Sequence, residues 1–205
     1  MPQTPFEKAL ALYEAAEQDG SPGSWALAVE AATTAAVAEP DDPEASYLAG
    51  LCAYYADDTS ATRRYLTRAL SLQPGHAFAR LYLGHQLYDE GRFGDALEAF
   101  ERVDGSVFLD FGQHWRSLKL DELRLCCRLY LGDANLASHV ARLAKAYRES
   151  AEEDKALPAE IVECVGSLDL GTRIDGRRIG ETVLGLAEAE DMESAATLIR
   201  HRLAS

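Results

Sequence analysis

The chain has 205 residues, a length that suits one domain or at most two. Hydrophobic residues make up 47% of it and charged residues 26%, a composition that is typical of a folded globular protein and excludes an intrinsically disordered one. There are 34 acidic and 20 basic side chains, giving a formal net charge of -14, so we expect no binding to nucleic acid or to an anionic membrane surface.

An internal repeat with a period of 34 residues occupies the first half of the chain, in three segments that begin at Ala9, Pro43 and Ala77. A shift by one period brings Gly50 onto Gly84. The same shift also aligns Leu66 with Phe100, Ala35 with Ala69, and Pro40 with Pro74. A repeat of this length predicts stacked helical units.

Each segment is predicted to form two helices. In the third segment, the apolar residues of 81–88 fall on one helical face, and Gly91 is expected to end that helix because glycine readily adopts positive φ. A second helix is predicted through residues 96–103. We expect the small residues Gly50, Gly84 and Ala96 where two helices cross closely. Pro40 and Pro74 are each expected to end the second helix of the preceding unit.

These features resemble the tetratricopeptide repeat family, through the period, a small residue at the eighth place, alanine at the twentieth and twenty-seventh places and a closing proline. The residues on pattern include Leu12, Ala16, Ala28, Ala35, Pro40, Gly50, Leu66, Ala69, Pro74, Leu83, Gly84, Leu87, Ala96 and Phe100. The resemblance implies an all-α fold, a right-handed superhelical stack of antiparallel helix pairs, with three repeats in residues 1–110. Three residues depart from it: Ser46 and Arg80 replace large apolar residues, and Phe108 replaces the closing proline.

The repeat register breaks beyond residue 110. Residues 104–114 are predicted to form a turn or an extended linker, and a helix is predicted to start near Trp115. A fourth, looser repeat is predicted at about 117–150. The residues that match the earlier unit there are Leu125, Leu129, Tyr130, Gly132 and Ala137.

Residues 111–205 are interpreted as a C-terminal helical extension of the same continuous domain. After the fourth repeat we expect a polar hinge at 149–154 and a lone helix at 158–168 that begins with a proline. The final helix pair, at 177–203, has a polar exterior that suits the terminal cap of a repeat stack.

Recognisable catalytic motifs are absent from the sequence. None of the five histidines belongs to an HExxH motif or a nucleophile turn, and no GxxxxGK[ST] or GxGxxG motif occurs. The glycine-containing stretch 166–180 is interpreted as a loop, since it follows a helix instead of a strand. The acidic pairs Asp57–Asp58 and Glu152–Glu153 are interpreted as solvated helix ends. We therefore expect no catalysis, no metal and no cofactor.

The cysteines and the amino terminus indicate the cellular compartment of the protein. Cys52, Cys126, Cys127 and Cys164 form no CxxC pair, so we expect buried core residues in a reducing compartment. The amino terminus lacks the features of a secretory signal, and no stretch approaches the roughly 18 apolar residues that cross a bilayer. These features predict a soluble, cytoplasmic protein.

The resemblance also implies a concave groove, lined by five places on the first helix of each repeat. Here those places hold Tyr13, Glu17, Glu44, Tyr47, Leu51, Tyr54, Tyr55, Phe78, Leu81, His85, Tyr88 and Asp89. Half of these residues are Tyr or Phe, although aromatic residues make up only 8% of the chain. Such rings provide large, rigid contact area at interfaces. The alternative is that several of them pack between repeats, and Tyr54 and Tyr88 fit either role.

The sequence thus predicts a non-catalytic protein-binding module whose groove accepts an apolar or basic peptide. Residues 1–110 carry 18 acidic and 7 basic side chains, and Glu17, Glu44 and Asp89 are available to pair with Lys or Arg. The acidic charge is alternatively a solvated surface. A clamp for a terminal carboxylate is not expected, because the groove places lack Lys, Arg and Asn.

Three other functions stay open. The chain is alternatively a small acidic protein dedicated to one partner, either a secretion-type chaperone or a toxin immunity protein. A second alternative is a repeat scaffold that assembles into homo-oligomers. A third is an enzyme with an active site that contains no recognised motif.

Overall fold

The computed structural model describes residues 3–151 and 156–204, and these residues form helices and turns with no strand among them. The predicted all-α fold is confirmed for this part of the chain. Contacts divide the chain into two compact units, Met1–Val103 (unit 1) and Asp104–Ser205 (unit 2). Residues 152–154 of the predicted hinge, including the pair Glu152–Glu153, lie outside the described residues.

Unit 1 is built from helices that pack in chain order. Its described residues contain α1 (Pro5–Asp19), α2 (Pro22–Ala38), α3 (Pro43–Tyr55), α4 (Thr59–Leu72), α5 (Ala77–Asp89) and α6 (Phe93–Glu101). Each of these helices packs on the next, and α3 also packs beside both α1 and α5. The starts of α3 and α5 are 34 residues apart, as are those of α4 and α6, which confirms the predicted spacing of the second and third helix pairs.

The helix boundaries of unit 1 follow from local signals. α1 begins four residues before Ala9, because Thr4 and Glu7 form a reciprocal capping box. Asp58 caps α4 by accepting a hydrogen bond from the Ala61 N–H at 2.9 Å. α2 and α4 each end two residues before a proline, as predicted. Gly91 has φ of 72° in the turn after α5, which also confirms the prediction.

The second and third helix pairs cross at a glycine. A methyl group on Gly84 would lie 2.5 Å from Cε1 of Phe100, and one on Gly50 would lie 2.6 Å from Cδ2 of Leu66. The corresponding residues of the first pair, Ala16 and Ala32, are both fully buried. The predicted need for a small residue at this crossing is confirmed for Gly50 and Gly84.

Unit 2 begins with a short helix that the sequence did not predict. Its described residues contain α7 (Ser106–Asp110), α8 (His114–Tyr130), α9 (Ala137–Glu149), α10 (Ala159–Ser167), α11 (Gly176–Ala189) and α12 (Glu193–Ala204). The prediction of a turn or extended linker at 104–114 was wrong over α7. The Asp104 carboxylate accepts hydrogen bonds from the Ser106 N–H at 3.0 Å and hydroxyl at 2.7 Å, and Phe108 is fully buried. This turn at Asp104, in which an aspartate side chain binds the backbone two residues on, and the burial of the Phe108 ring favour a helical turn.

The remaining helices of unit 2 lie close to their predicted positions. α8 packs on α9 and α10, while α11 packs on α9, α10 and α12. α10 begins at Ala159, one residue later than predicted, because Pro158 is its N-cap residue and not its first helical residue. The stretch 166–180 was predicted to be a loop, and it is one only over residues 168–175, between α10 and α11. Arg173 of this loop donates a hydrogen bond to the Leu129 carbonyl of α8 at 3.2 Å.

All four cysteines have free thiols and are buried, so their predicted place in the core is confirmed. Burial raises the pKa of both the Cys52 and the Cys127 thiols to about 12. Since the thiolate is the reactive form, these two side chains are poor nucleophiles at neutral pH.

Candidate partner-binding surface

Aromatic side chains from all three helix pairs of unit 1 meet in one continuous cluster. Each ring has at least one neighbour at a centroid separation between 4.7 and 6.3 Å. The cluster, called the aromatic cluster below, consists of Tyr13, Trp25, Tyr47, Tyr54, Tyr55, His76, Phe78, Tyr82, His85 and Phe100. Every helix of unit 1 except α4 contributes a ring to this cluster, or has one directly before its first residue. The aromatic cluster therefore links the three successive helix pairs.

Tyr55 lies at the centre of the aromatic cluster and connects its two halves. Its ring stacks on Trp25 with centroids 4.7 Å apart and planes within 19° of parallel. Its hydroxyl lies 3.0 Å from the Tyr82 hydroxyl, a hydrogen bond between residues 27 positions apart. Trp25 is buried, whereas Tyr55 is 38% exposed, so part of the cluster faces solvent.

Two predicted groove carboxylates are held by tyrosine hydroxyls of the aromatic cluster. Tyr13 donates a hydrogen bond to Glu17 Oε1 at 2.5 Å, and Tyr54 donates one to Asp89 Oδ2 at 2.8 Å. Burial, followed by the hydrogen bond to Glu17, raises the pKa of Tyr13. Burial, followed by the charge of Asp89, raises the pKa of Tyr54. Both hydroxyls therefore stay protonated and orient the carboxylates at neutral pH.

The third predicted carboxylate, Glu44, lies beside the buried His76 ring. His76 Nδ1 accepts a hydrogen bond from the Ala79 N–H at 3.2 Å, which caps α5 and assigns the ring proton to Nε2. That Nε2 lies 3.2 Å from Glu44 Oε1, although the contact is poorly aligned for a hydrogen bond. The nearby His76 ring still lowers the pKa of Glu44, so this carboxylate is ionised at neutral pH.

A cleft of about 510 Å³ opens at the edge of the aromatic cluster. Its lining residues are Tyr54, Tyr55, Asp57, Thr59, Gln86, Asp89 and Glu90. Three of these are carboxylates, and Glu90 is paired with Arg63 at 3.1 Å. Asp57 has φ of 58°, in the left-handed region that is uncommon for residues other than glycine. The cleft therefore combines tyrosine rings with negative charge.

The twelve predicted groove residues divide by exposure. Leu51 and Leu81 are buried in the core, at 4% and 1% exposure. The half-buried residues are Tyr13, Tyr47, Tyr54, Phe78, His85 and Tyr88. The exposed residues are Glu17, Glu44, Tyr55 and Asp89. Six of the twelve belong to the aromatic cluster, and Tyr88 lies against Phe93 of α6 at 5.4 Å.

The predicted groove residues omitted four members of the aromatic cluster, which are Trp25, His76, Tyr82 and Phe100. Trp25 lies on the second helix of its pair, whereas the predicted contact places lie on the first helix. Tyr82 follows Leu81 in the apolar face of α5 and is 6% exposed, and His76 precedes that helix. The usable signal was the recurrence of rings along α5, at Phe78, Tyr82 and His85, which the 3.6-residue helical period places on one side.

Unit 2 contains a buried polar cluster around Glu122, which is fully buried. Glu122 accepts hydrogen bonds from the Tyr147 hydroxyl at 2.5 Å, the Ile161 N–H at 2.9 Å and Lys119 Nζ at 2.9 Å. Lys119 also contacts the Glu160 carboxylate. Burial raises the pKa of Glu122 to about 7, against the opposing charge of Lys119. One carboxyl group thus joins α8 to α9 and to the first turn of α10.

No family model matches the chain, and no curated protein matches it. Within residues 3–151 and 156–204, no helix is both long enough and apolar enough to span a membrane. The same residues include no group of three or more His, Cys, Asp or Glu side chains placed to hold a metal ion.

Proposed function

We propose that the chain is a non-catalytic protein-interaction module and that unit 1 binds a peptide or protein segment over the aromatic cluster. The observation that carries this proposal is the meeting of rings from three helix pairs beside the carboxylates Glu17, Glu44 and Asp89. Rigid aromatic side chains supply contact area with little loss of conformational entropy, and interface hot spots are rich in them.

We also propose that the helix pairs of unit 1 stack as a right-handed superhelix, in the manner of tetratricopeptide repeats. Support comes from the 34-residue spacing of the second and third pairs and from the glycine crossings at Gly50 and Gly84. The packing of α3 beside both α1 and α5 is a further support, since a groove of this kind requires the first helices to be neighbours.

The proposed partner segment carries Lys or Arg together with apolar residues. A long cationic side chain fits the cleft beside Tyr54 and Tyr55, because ring faces and carboxylates both attract cations. Asp89 is already oriented by the Tyr54 hydroxyl, so less ordering is needed when a cation binds. The apolar residues of the segment would cover the exposed part of the tyrosine rings.

A peptide-display selection on the full chain tests this proposal. We expect enriched sequences to contain Lys or Arg interleaved with apolar residues, and to bind the double variant Glu17→Gln/Asp89→Asn at least about tenfold more weakly in fluorescence polarisation. The matched control is Asp95→Asn/Glu98→Gln, which also removes two exposed carboxylates, both on α6 and paired with Arg92 and Arg102. Failure to enrich any sequence, or equal affinity for the double variant and the control, would overturn the proposal.

The alternative functions predict different assemblies. A homo-oligomeric scaffold would gain mass with concentration in light scattering. A protein dedicated to one partner would co-purify with that partner at a fixed ratio from its native cell, and a display selection would then return fragments of one surface.

A further inference from the structure

A groove between α8 and α9 in unit 2 has a charge opposite to that of the whole chain. It encloses about 460 Å³. The groove is lined by Leu118, Asp121, Arg124, Leu125, Arg128, His139, Arg142, Leu143 and Ala146. Residues 114–149 carry 7 Lys or Arg and 4 Asp or Glu, in a chain with a net charge of -14. Basic side chains are therefore concentrated here.

The floor of this groove is apolar. Leu125 of α8 and Leu143 of α9 both line it and are each 6% exposed, and Leu118 and Ala146 extend the strip as half-buried residues. The lining residues span seven positions or more on each helix, which is about two turns or 10 Å. The strip thus matches the length over which one face of a short helix makes contact.

The rim of the groove is formed by arginines from both helices. Arg124 is half-buried and pairs with Asp121 at 3.0 Å, and Arg142 is exposed on α9. Arginine side chains can hold carboxylates through two parallel hydrogen bonds, and their stems also cover apolar surface. An apolar strip between arginines is complementary to a helix with an apolar stripe flanked by Asp or Glu.

We propose that this groove binds an acidic amphipathic helix of a partner protein. The apolar floor accepts residues at positions i, i+3 or i+4, and i+7 of that helix, while the rim pairs with its carboxylates. The floor favours this partner over nucleic acid, because a phosphate backbone gains nothing from Leu125 and Leu143, and the net charge repels a long polyanion. The proposal is independent of the function proposed for unit 1.

A designed peptide tests the proposal directly. The probe is a fluorescein-labelled synthetic helix with Leu at positions i, i+3 or i+4, and i+7 and Glu at most other positions, titrated with the full chain in fluorescence polarisation. We expect saturable binding that weakens with added salt and is reduced at least about tenfold by Arg142→Glu. The matched control is Arg148→Glu, an equal charge change at an exposed position of α9 outside the groove.

Three results would overturn the proposal. One is equal affinity of the probe for Arg142→Glu and Arg148→Glu. Another is equal binding of a control peptide in which Gln replaces every Leu, since charge alone would then suffice. The third is concentration-dependent association of the parent chain that Arg142→Glu abolishes, because a second copy would then occupy the groove. Far-UV circular dichroism of each variant confirms that the fold is retained.

Discussion

Gly84 and Phe100 fit together so closely that a methyl group on Gly84 would lie 2.5 Å from the Phe100 ring. Gly50 and Leu66 have the same relationship one repeat earlier, with a separation of 2.6 Å. In both cases a large side chain of the second helix fills the space that the missing Cβ leaves. This contact sets the distance between the helices of a pair, and it recurs with the repeat.

Gly84→Ala should destabilise unit 1 by about 1–3 kcal/mol, although alanine favours helices more than glycine does. The added methyl group would force Phe100, which is fully buried, to shift within a packed core. Urea denaturation followed by far-UV circular dichroism measures the change. Gly94→Ala is the control, because nothing lies within 4 Å of a methyl group there. Equal stability of the two variants would contradict the proposed crossing.

The coupling between Gly84 and Phe100 is also measurable. Phe100→Ala alone should cost about 3–5 kcal/mol, because it leaves a cavity in the core. In that background the second change, Gly84→Ala, should be neutral or stabilising, since the space is then free and the pair resembles Ala16 and Ala32 of the first helix pair. A double-mutant cycle should give a coupling energy of about 0.5–3 kcal/mol, and strict additivity would exclude the contact.

Glu122→Gln should remove a pH dependence from the stability of unit 2. The folded pKa of about 7 lies above the ordinary value of 4.5, so Glu122 keeps a proton in the folded state that the unfolded chain has released. Its contribution to stability is therefore full below pH 4.5 and is lost as the pH rises through 7. Glutamine does not titrate and can still accept the Ile161 N–H.

The measured quantity is the free energy of unfolding of both proteins from about pH 5 to about pH 8. Between the lower and the upper pH, the free energy of unfolding of the Gln variant should rise relative to that of the parent by on the order of 1–3 kcal/mol. Groups outside the polar cluster around Glu122 cancel in the difference. The pKa of Lys119 is raised from 10.5 and that of Glu160 is lowered from 4.5, so both stay charged across this range in the parent. A difference that stays constant with pH would show that Glu122 titrates below this range.

Much of the fold of unit 1 followed from the sequence, because a repeat presents the same signal several times. The alignment of Gly50 with Gly84 and of Pro40 with Pro74 located the crossings and the helix ends. Unit 2 has no such redundancy. α7 was missed because its helical state depends on the buried Phe108 ring and on the hydrogen bonds from Ser106 to the Asp104 carboxylate, and neither produces a periodic pattern over five residues.

The candidate site was only partly predictable. The repeat positions that were assigned to the groove include six members of the aromatic cluster. A position within the repeat does not show, however, that Leu51 is buried and that Tyr55 is partly exposed. Trp25 could not be found in this way, because its stacking on Tyr55 joins residues that are 30 positions apart on different helices. Contacts between repeats depend on packing that the period alone does not contain.

The most direct test of the proposed binding surface is the affinity of a display-selected basic peptide for Tyr47→Ala/Tyr55→Ala. Tyr47 is half-buried and Tyr55 is exposed, and their rings lie 6.3 and 6.0 Å from the Tyr82 ring, so their loss should remove the centre of the surface. We predict a dissociation constant at least about tenfold higher than that of the parent, with the helical circular dichroism retained. An unchanged dissociation constant, or loss of the helical signal, would contradict a partner-binding role for the aromatic cluster.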